Sequence, residues 1–217
     1  MCRGFNVKVI SFDLTGTLVS NDYVDYFWLE LIPKLYAEKH GVSLDEAKRI
    51  VYSSYDEVGS GDIRWYIPQY WLEKFGLGLS AKDAISMVKD RVYVYDDVLD
   101  TLNRLACRYG LVVSSNLSKE FIDVVLDVLG FKGFKAVFSC VSDLSLTTKS
   151  PDFYKFIAER LGVLTCEVLH VGDDPERDYE NPIKAGMRAL LIARSGKPPA
   201  GRYPCIRSLM ELLDLLS

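Results

Sequence analysis

From Asp97 onward the sequence alternates short apolar runs with amphipathic segments, and this alternation narrows the possible folds more than any other feature. Leu111-Val112-Val113-Ser114, Ala136-Val137-Phe138-Ser139, the run from Glu167 to Val171 and the run from Ala189 to Ala193 have the length and β-branched content of buried strands. Between them, a segment from Val98 to about Tyr109 and another through Phe121, Val124, Val125 and Leu129 repeat apolar residues at helical spacing. A further strand stands near the N-terminus, where Val7, Val9, Ile10 and Phe12 precede Asp13. Strands separated by helices pair in parallel, because a parallel partner can be reached only through a long crossover. The expected fold class is therefore α/β, a parallel sheet with helices on both faces.

The strands end in polar side chains. Asp13 stands where the first apolar run stops, and Thr15-Gly16-Thr17 follows as a tight polar loop. Gly16 admits positive φ or close approach of a ligand, and the loop N–H groups can face an anion. Taken alone, the stretch reads equally well as an aspartate that caps the next segment. The second strand runs into Ser115-Asn116, and the fourth into Gly172-Asp173-Asp174-Pro175-Glu176-Arg177-Asp178. Lys149 precedes a helix start formed by Ser150 as N-cap and Pro151 at the first helical position. Open α/β sheets bind ligands just outside the carboxyl ends of their strands, so these groups are expected on one rim.

Residues 22–92 carry helical patterns and no convincing strand. Tyr23, Phe27, Leu31 and Leu35 recur at four-residue spacing, with Pro33 as a point of kinking. Ser43 with Glu46 reads as a capping box. The loop Val58-Gly59-Ser60-Gly61-Asp62 breaks the pattern, a third helix runs from about Trp65 to Phe75 across Pro68, and a fourth opens at Ser80. The aromatics Trp28, Trp65, Tyr66, Tyr70 and Trp71 read as the core of this small bundle.

Composition removes several function classes. With 217 residues and 49% hydrophobic content, the chain can bury one large core with a modest insertion. Its formal charge of −4 gives no basic field for nucleic acid, and no apolar run reaches the length of a membrane span. Met1 to Asn6 lacks the apolar stretch of a secretory signal, so a cytoplasmic protein is expected. The five cysteines are scattered, with two histidines and no zinc-type spacing. Cys140 and Cys166 lie in or beside apolar runs, and the cysteines are expected as buried or inert thiols.

In content and order, Asp13-Leu14-Thr15-Gly16-Thr17-Leu18, Ser115-Asn116, Lys149 and Gly172-Asp173 through Asp178 resemble the four motifs of the haloacid dehalogenase superfamily. The resemblance implies a Rossmann-like core, three layers α/β/α, from residues 1–18 and 96–217, with residues 19–95 as an inserted helical cap of the C1 type. It implies a phosphatase that acts on a small phosphorylated metabolite through an aspartyl-phosphate at Asp13, with Mg²⁺ as cofactor. Asp13, Asp173, Asp178 and the carbonyl of Thr15 would hold the metal, Ser115 and Lys149 would bind phosphoryl oxygens, and Gly16, Thr17 and Asn116 would line the phosphate site. The chemistry agrees, since phosphoryl transfer needs an in-line nucleophile and groups that offset charge on the phosphoryl oxygens, and crowded carboxylates need a cation. Two alternatives stand beside it: a metal-independent dehalogenase, which would usually lack the acidic pair Asp173 and Asp178, and a phosphate-binding protein with low turnover. The sequence departs from the phosphatase pattern at Thr15, where a second aspartate usually serves as general acid and base. Gly59-Ser60-Gly61-Asp62 and Arg64 read either as a solvated helix connection or as substrate-facing groups of the cap. Asp178 also reads as an N-cap or as a partner of Arg177 or Arg188.

Overall fold

The computed structural model describes residues 6–195 and 203–216. Six parallel strands, β1 (Val9–Phe12), β2 (Gly110–Ser115), β3 (Phe134–Ser139), β4 (Val168–Gly172), β5 (Arg188–Ile192) and β6 (Cys205–Ile206), form one sheet in the order β3-β2-β1-β4-β5-β6. The two-residue β6 carries too short a pattern to be legible in the sequence. All four residues of β1 are buried because helices cover both faces of the sheet. Their side chains alternate, with Ile10 and Phe12 in one core cluster beside Leu111 and Val113, and Val9 in the other beside Val112 and Val168.

Register decides what the rim carries. Phe12 pairs with Val113 on one side and Val171 on the other, and the Asp13 N–H donates to the Val171 carbonyl at 2.8 Å. From β1 the order runs to β2 and β3 on one side and to β4, β5 and β6 on the other, so the switch point lies between β1 and β4. Asp13 and Asp173 flank that crevice.

Between β1 and β2 the chain is helical: Asp22–Tyr26, Phe27–Leu31, Ile32–His40, Leu44–Val58, Pro68–Lys74 and Ala81–Ser86. Phe27–Leu31 is a π turn. Pro33 lies two residues beyond it and has no N–H to donate to Leu29, the fourth residue back, which is a local reason for the wider turn. Ser43 and Ser80 cap their helices through the N–H groups of Glu46 and Asp83. The expected helix across Pro68 is two pieces, a 3₁₀ turn Ile63–Tyr66 and the helix Pro68–Lys74. Ile67 is extended between them, as a residue before proline tends to be. Trp71 is fully buried in the core, while Trp28, Trp65 and Tyr70 are partly buried and pack against the same cluster, and Tyr66 against the other.

The helical segment leaves and re-enters the sheet side by side. Val19 bridges Val94, the Ser20 N–H donates to the Tyr93 carbonyl, and the Tyr95 N–H to the Leu18 carbonyl. Tyr23 and Phe27 pack edge-on against Phe121, joining this segment to the helix Lys119–Leu129.

Other local readings shift slightly. The helix from Val98 ends at Ala106, and a short helix Cys140–Leu144 follows β3. Ser150 occupies the N-cap position of Pro151–Leu161 without a side-chain bond. Cys107, Cys140 and Cys205 are free, whereas Cys166 is disulfide-bonded, against the expectation of an inert thiol. Among the described residues no helix is long and apolar enough to cross a membrane.

Candidate active site

Lys149 is the hub of the crevice. Its ammonium donates to Asp13 Oδ1 at 2.5 Å and also to Asp178 Oδ1. All three residues are almost wholly buried, at 2%, 4% and 1% exposure for Lys149, Asp13 and Asp178. Lys149 is fixed from behind, since Asn181 Nδ2 donates to its carbonyl at 3.0 Å. Two glycines let the carboxylates approach. Gly16 has φ +74°, and a Cβ there would overlap Asp173 Oδ2, while a Cβ on Gly172 would overlap the Asp178 carboxyl carbon.

Beneath Asp178 lies a polar network that sequence reasoning missed. His170 is buried and pairs in register with Ser11 across β1 and β4. Its Nε2 lies 2.9 Å from Asp178 Oδ1, and its Nδ1 lies 3.0 Å from Ser11 Oγ, which is 2.5 Å from Ser114 Oγ. Burial lowers the imidazole pKa despite the opposing pull of Asp178, so the ring is neutral, with Nε2–H donating to the carboxylate and Nδ1 accepting from a hydroxyl. The other oxygen, Asp178 Oδ2, accepts from the Asp174 N–H at 3.0 Å, and the Tyr154 hydroxyl donates to the Arg177 carbonyl at 2.7 Å. The available signal was three polar residues, Ser11, Ser114 and His170, inside otherwise apolar strands.

The crevice carries more negative than positive charge. Asp13, Asp173 and Asp178 each offer a carboxylate oxygen, all within 4.8 Å of one another, and among the described residues the ammonium of Lys149 bonds two of them. Burial pushes the Asp13 carboxyl up to about 7; Lys149 opposes this, and Asp178 and Asp173 add to it. Burial and the neighbouring Asp178 likewise raise Asp173 to about 6. Burial also acts upward on Asp178, but the Lys149 ammonium and the His170 hydrogen bond outweigh it and hold that carboxyl well below the usual range. For Lys149, burial acts downward and the two carboxylates more than reverse it, so the ammonium stays charged. An all-oxygen donor set with an uncompensated charge fits a hard divalent cation such as Mg²⁺.

The remaining expected site residues fall into two groups. Ser115 is buried at the end of β2, where its Oγ accepts from the Leu117 N–H, and Thr17 Oγ1 is buried with no hydrogen-bond partner. Thr15 bridges Val19 within the loop that follows Asp13. Asn116 instead braces the loop ahead of Lys149, donating to the Thr147 carbonyl and accepting from Cys140 Sγ. The capping role considered for Asp178 belongs to Asp174, which accepts from the N–H groups of Glu176 and Arg177 and pairs with the Arg177 guanidinium at 2.7 Å. Arg64 is folded onto Asp62 and lies over Tyr70.

A cavity of about 290 Å³ opens beside the carboxylates, lined by Gly16, Asn21, Tyr95, Asp173 and Arg194 among others. Arg194 donates twice to the Thr17 carbonyl and twice to Asp97, both of the latter at 2.8 Å, so it clamps the Asp13 loop to the return of the helical segment.

Comparison with known proteins adds to this geometry. The family described as haloacid dehalogenase-like hydrolase matches residues 7–186. The GMP/IMP nucleotidase of Escherichia coli is 24% identical, covering 97% of this chain and 96% of its own. A HAD phosphatase from Thermococcus onnurineus superposes with a TM-score of 0.82 at 25% identity, covering 97% of this chain and 98% of that one. A 2-haloacid dehalogenase from Pseudomonas syringae shares the fold at a TM-score of 0.69 and 23% identity, covering 97% and 98%.

Proposed function

The chain belongs to the haloacid dehalogenase-like hydrolase family, and from that premise we propose that it is a Mg²⁺-dependent phosphatase acting on a small phosphorylated metabolite through an aspartyl-phosphate at Asp13. The observation that carries this reading is the convergence of Asp13, Asp173 and Asp178 around one point with Lys149 among them. In this reading residues 1–18 and 96–217 are the core and residues 19–95 the cap.

Asp13 attacks phosphorus, a bond forms from its carboxylate oxygen, and the ester P–O bond breaks with release of the alkoxide or phenoxide, which takes its proton from solvent. Water then attacks the same phosphorus, phosphate leaves and the Asp13 carboxylate is restored. Lys149, with Ser115 and the loop Thr15-Gly16-Thr17, offsets charge on the phosphoryl oxygens, while His170 and Asp174 hold Asp178 in place. Asp13, Asp173, Asp178 and the Thr15 carbonyl would hold Mg²⁺, which supplies charge neutralisation and polarisation of the phosphoryl group when bound. The buried, unpartnered hydroxyl of Thr17 suits an oxygen of the substrate. Thr15 has no carboxyl to protonate the leaving oxygen, so good leaving groups are the favoured substrates.

The names of two relatives support phosphoryl chemistry, one a nucleotidase and one a phosphatase. The dehalogenase likeness supports the fold alone. Thr15 favours a second reading, a phosphate-binding protein of low turnover. Phosphate release measured beside halide release, each with Mg²⁺ and with chelator, tests the proposal. Mg²⁺-dependent phosphate release supports it, halide release unaffected by chelator supports the dehalogenase, and a Mg²⁺-plus-vanadate gain in melting temperature without turnover supports the binding protein.

A further inference from the structure

Among the described residues, the buried hydroxyls of Thr17, Tyr23, Thr101 and Ser118 have no hydrogen-bond partner. Buried hydroxyls are normally paired, so each of these needs a reason. Two of them, Thr17 and Tyr23, stand on the stretch that opens with Asp13. Tyr23 lies in the helix Asp22–Tyr26, wholly buried, with its ring edge-on to Phe121 at 6.0 Å between centroids. Phe121 belongs to the helix Lys119–Leu129, which follows Ser115 and Asn116. Asn21, just ahead of Tyr23, lines one cavity with Gly16 and Asp173, and Asp173 brings a carboxylate oxygen within 4.8 Å of those of Asp13 and Asp178. The Tyr23 phenol also responds to the crevice. Burial raises its pKa well above the usual value, and the Asp13 carboxylate adds to the rise. Coulombic influence falls with distance, so phenol and carboxylate are neighbours. The phenol therefore stays protonated, a donor near Asp13 that the described residues leave without an acceptor.

We propose that the Tyr23 hydroxyl is a ligand of the transferring phosphoryl group, donating a hydrogen bond to one of its oxygens when a phosphate ester is held at Asp13. The inference rests on the phosphatase reading and adds a contact from the helical segment to those that Lys149, Ser115 and Thr17 make from the sheet side. A phosphoryl group carries three strong acceptor oxygens, which suits two hydroxyls that each lack an acceptor. The ring is held by Phe121, so the donor is in place before the substrate arrives and needs little reorganisation. The phenol keeps its proton. It offsets charge on the phosphoryl oxygens and does not replace the acid that is missing at Thr15.

Tyr23→Phe removes one oxygen and keeps the ring against Phe121. The test measures the affinity for vanadate, a phosphoryl mimic, from the shift in melting temperature across a concentration series with Mg²⁺. Beside it, kcat/KM is measured for p-nitrophenyl phosphate, both in the wild type and in Tyr23→Phe. Vanadate affinity and kcat/KM should each fall by about tenfold to a hundredfold, the scale of one hydrogen bond to a charged group. The ligand-free melting temperature should stay level or rise, because the variant no longer buries an unpaired hydroxyl. The Mg²⁺ concentration for half-maximal activity should not change, whereas a general disturbance of the crevice would move it. An unchanged vanadate affinity would overturn the inference, while hydrolysis of p-nitrophenyl phosphate keeps the phosphatase reading. A lower ligand-free melting temperature would also overturn it, since the hydroxyl would then have a partner before substrate binds. Vanadate binding that weakens in Tyr23→Phe, with no phosphate released from any ester by the wild type, would reject the phosphatase reading and keep the phosphoryl contact. No vanadate binding by the wild type would overturn both.

Discussion

Replacing Asp13 by asparagine should stabilise the metal-free protein above neutral pH, although it removes the proposed nucleophile. Among the described residues the crevice holds Asp13, Asp173 and Asp178 around the Lys149 ammonium, and the nearly isosteric amide would keep the shape of the side chain while relieving the crowding of negative charge. Asp13 is raised from 3.8 to about 7 in the folded protein. Between these two values the folded state binds more protons than the unfolded state, so stability falls as pH rises, and the full cost is present above the folded pKa. Roughly 3 units at 1.36 kcal/mol each set a ceiling of about 4 kcal/mol. For a chain of this size that corresponds to a Tm gain of up to about 8–16 °C, with the Lys149 contact already included in the shift. Asp173 is raised in the same sense and leaves some pH dependence in the variant. Asp178 is depressed, so its contribution is lost only in acid, below this window. Thermal unfolding followed by circular dichroism in chelator, at steps from pH 5 to pH 8.5, measures the effect. The gain should be small at pH 5 and grow with pH. A variant less stable than wild type at pH 8, or a difference independent of pH, would refute the charge-crowding argument.

Asp173→Ala should raise the Mg²⁺ requirement sharply, and chelator should silence the wild type; activity indifferent to both would point to chemistry without a metal. A positioned general acid typically contributes ~10²–10⁴-fold, or roughly 3–5 kcal/mol of barrier. The wild type should therefore hydrolyse aryl phosphates far better than alkyl phosphates and show a burst of phenol in rapid-quench kinetics. Thr15→Asp should speed turnover and shrink that burst, and equal rates for both ester types would show that another group already serves as the acid. Arg194→Ala removes four hydrogen bonds from a mostly buried pair with Asp97 and from the Thr17 carbonyl. Asp97 keeps Ser208 and Leu209 as donors, so a loss of about 3 kcal/mol, the low end for breaking a buried ion pair, is expected in urea unfolding.

The strand ends were legible because an apolar run that stops at a carboxylate is a local event. Asp13 and the Asp173 turn each follow their strand as the patterning indicates, and Ser115 is the last residue of β2. His170 was not legible as a partner of Asp178, because its role arises from cross-strand register with Ser11, and a polar residue inside an apolar run has no periodic signature of its own. Asp174 and Asp178 could not be told apart by spacing, since both fall within one turn of a helix start. Only the backbone shows that Asp174 caps the turn while Asp178 faces inward to Lys149. Trp71 obeyed the core reading, but Trp28 and Trp65 line a cavity. Apolar periodicity reports which helix face turns inward, not whether that face meets another side chain or an open space. The π turn at Phe27–Leu31 adds to this, because it shifts helical phase within the segment where phase was being read.

The central claim is chemistry at phosphorus rather than at a substrate carbon, and the fate of water oxygen tests it most directly. The wild-type protein would turn over p-nitrophenyl phosphate with Mg²⁺ in H₂¹⁸O, and, in a parallel incubation, a 2-haloacid. Mass spectrometry would follow the released phosphate and the peptide carrying Asp13. Attack by water on phosphorus places one ¹⁸O in the phosphate and none in the peptide, and that is the predicted result. Accumulation of ¹⁸O in the Asp13 carboxylate, with halide released from the haloacid, would mean that water attacks an ester carbon of Asp13, and would contradict the account.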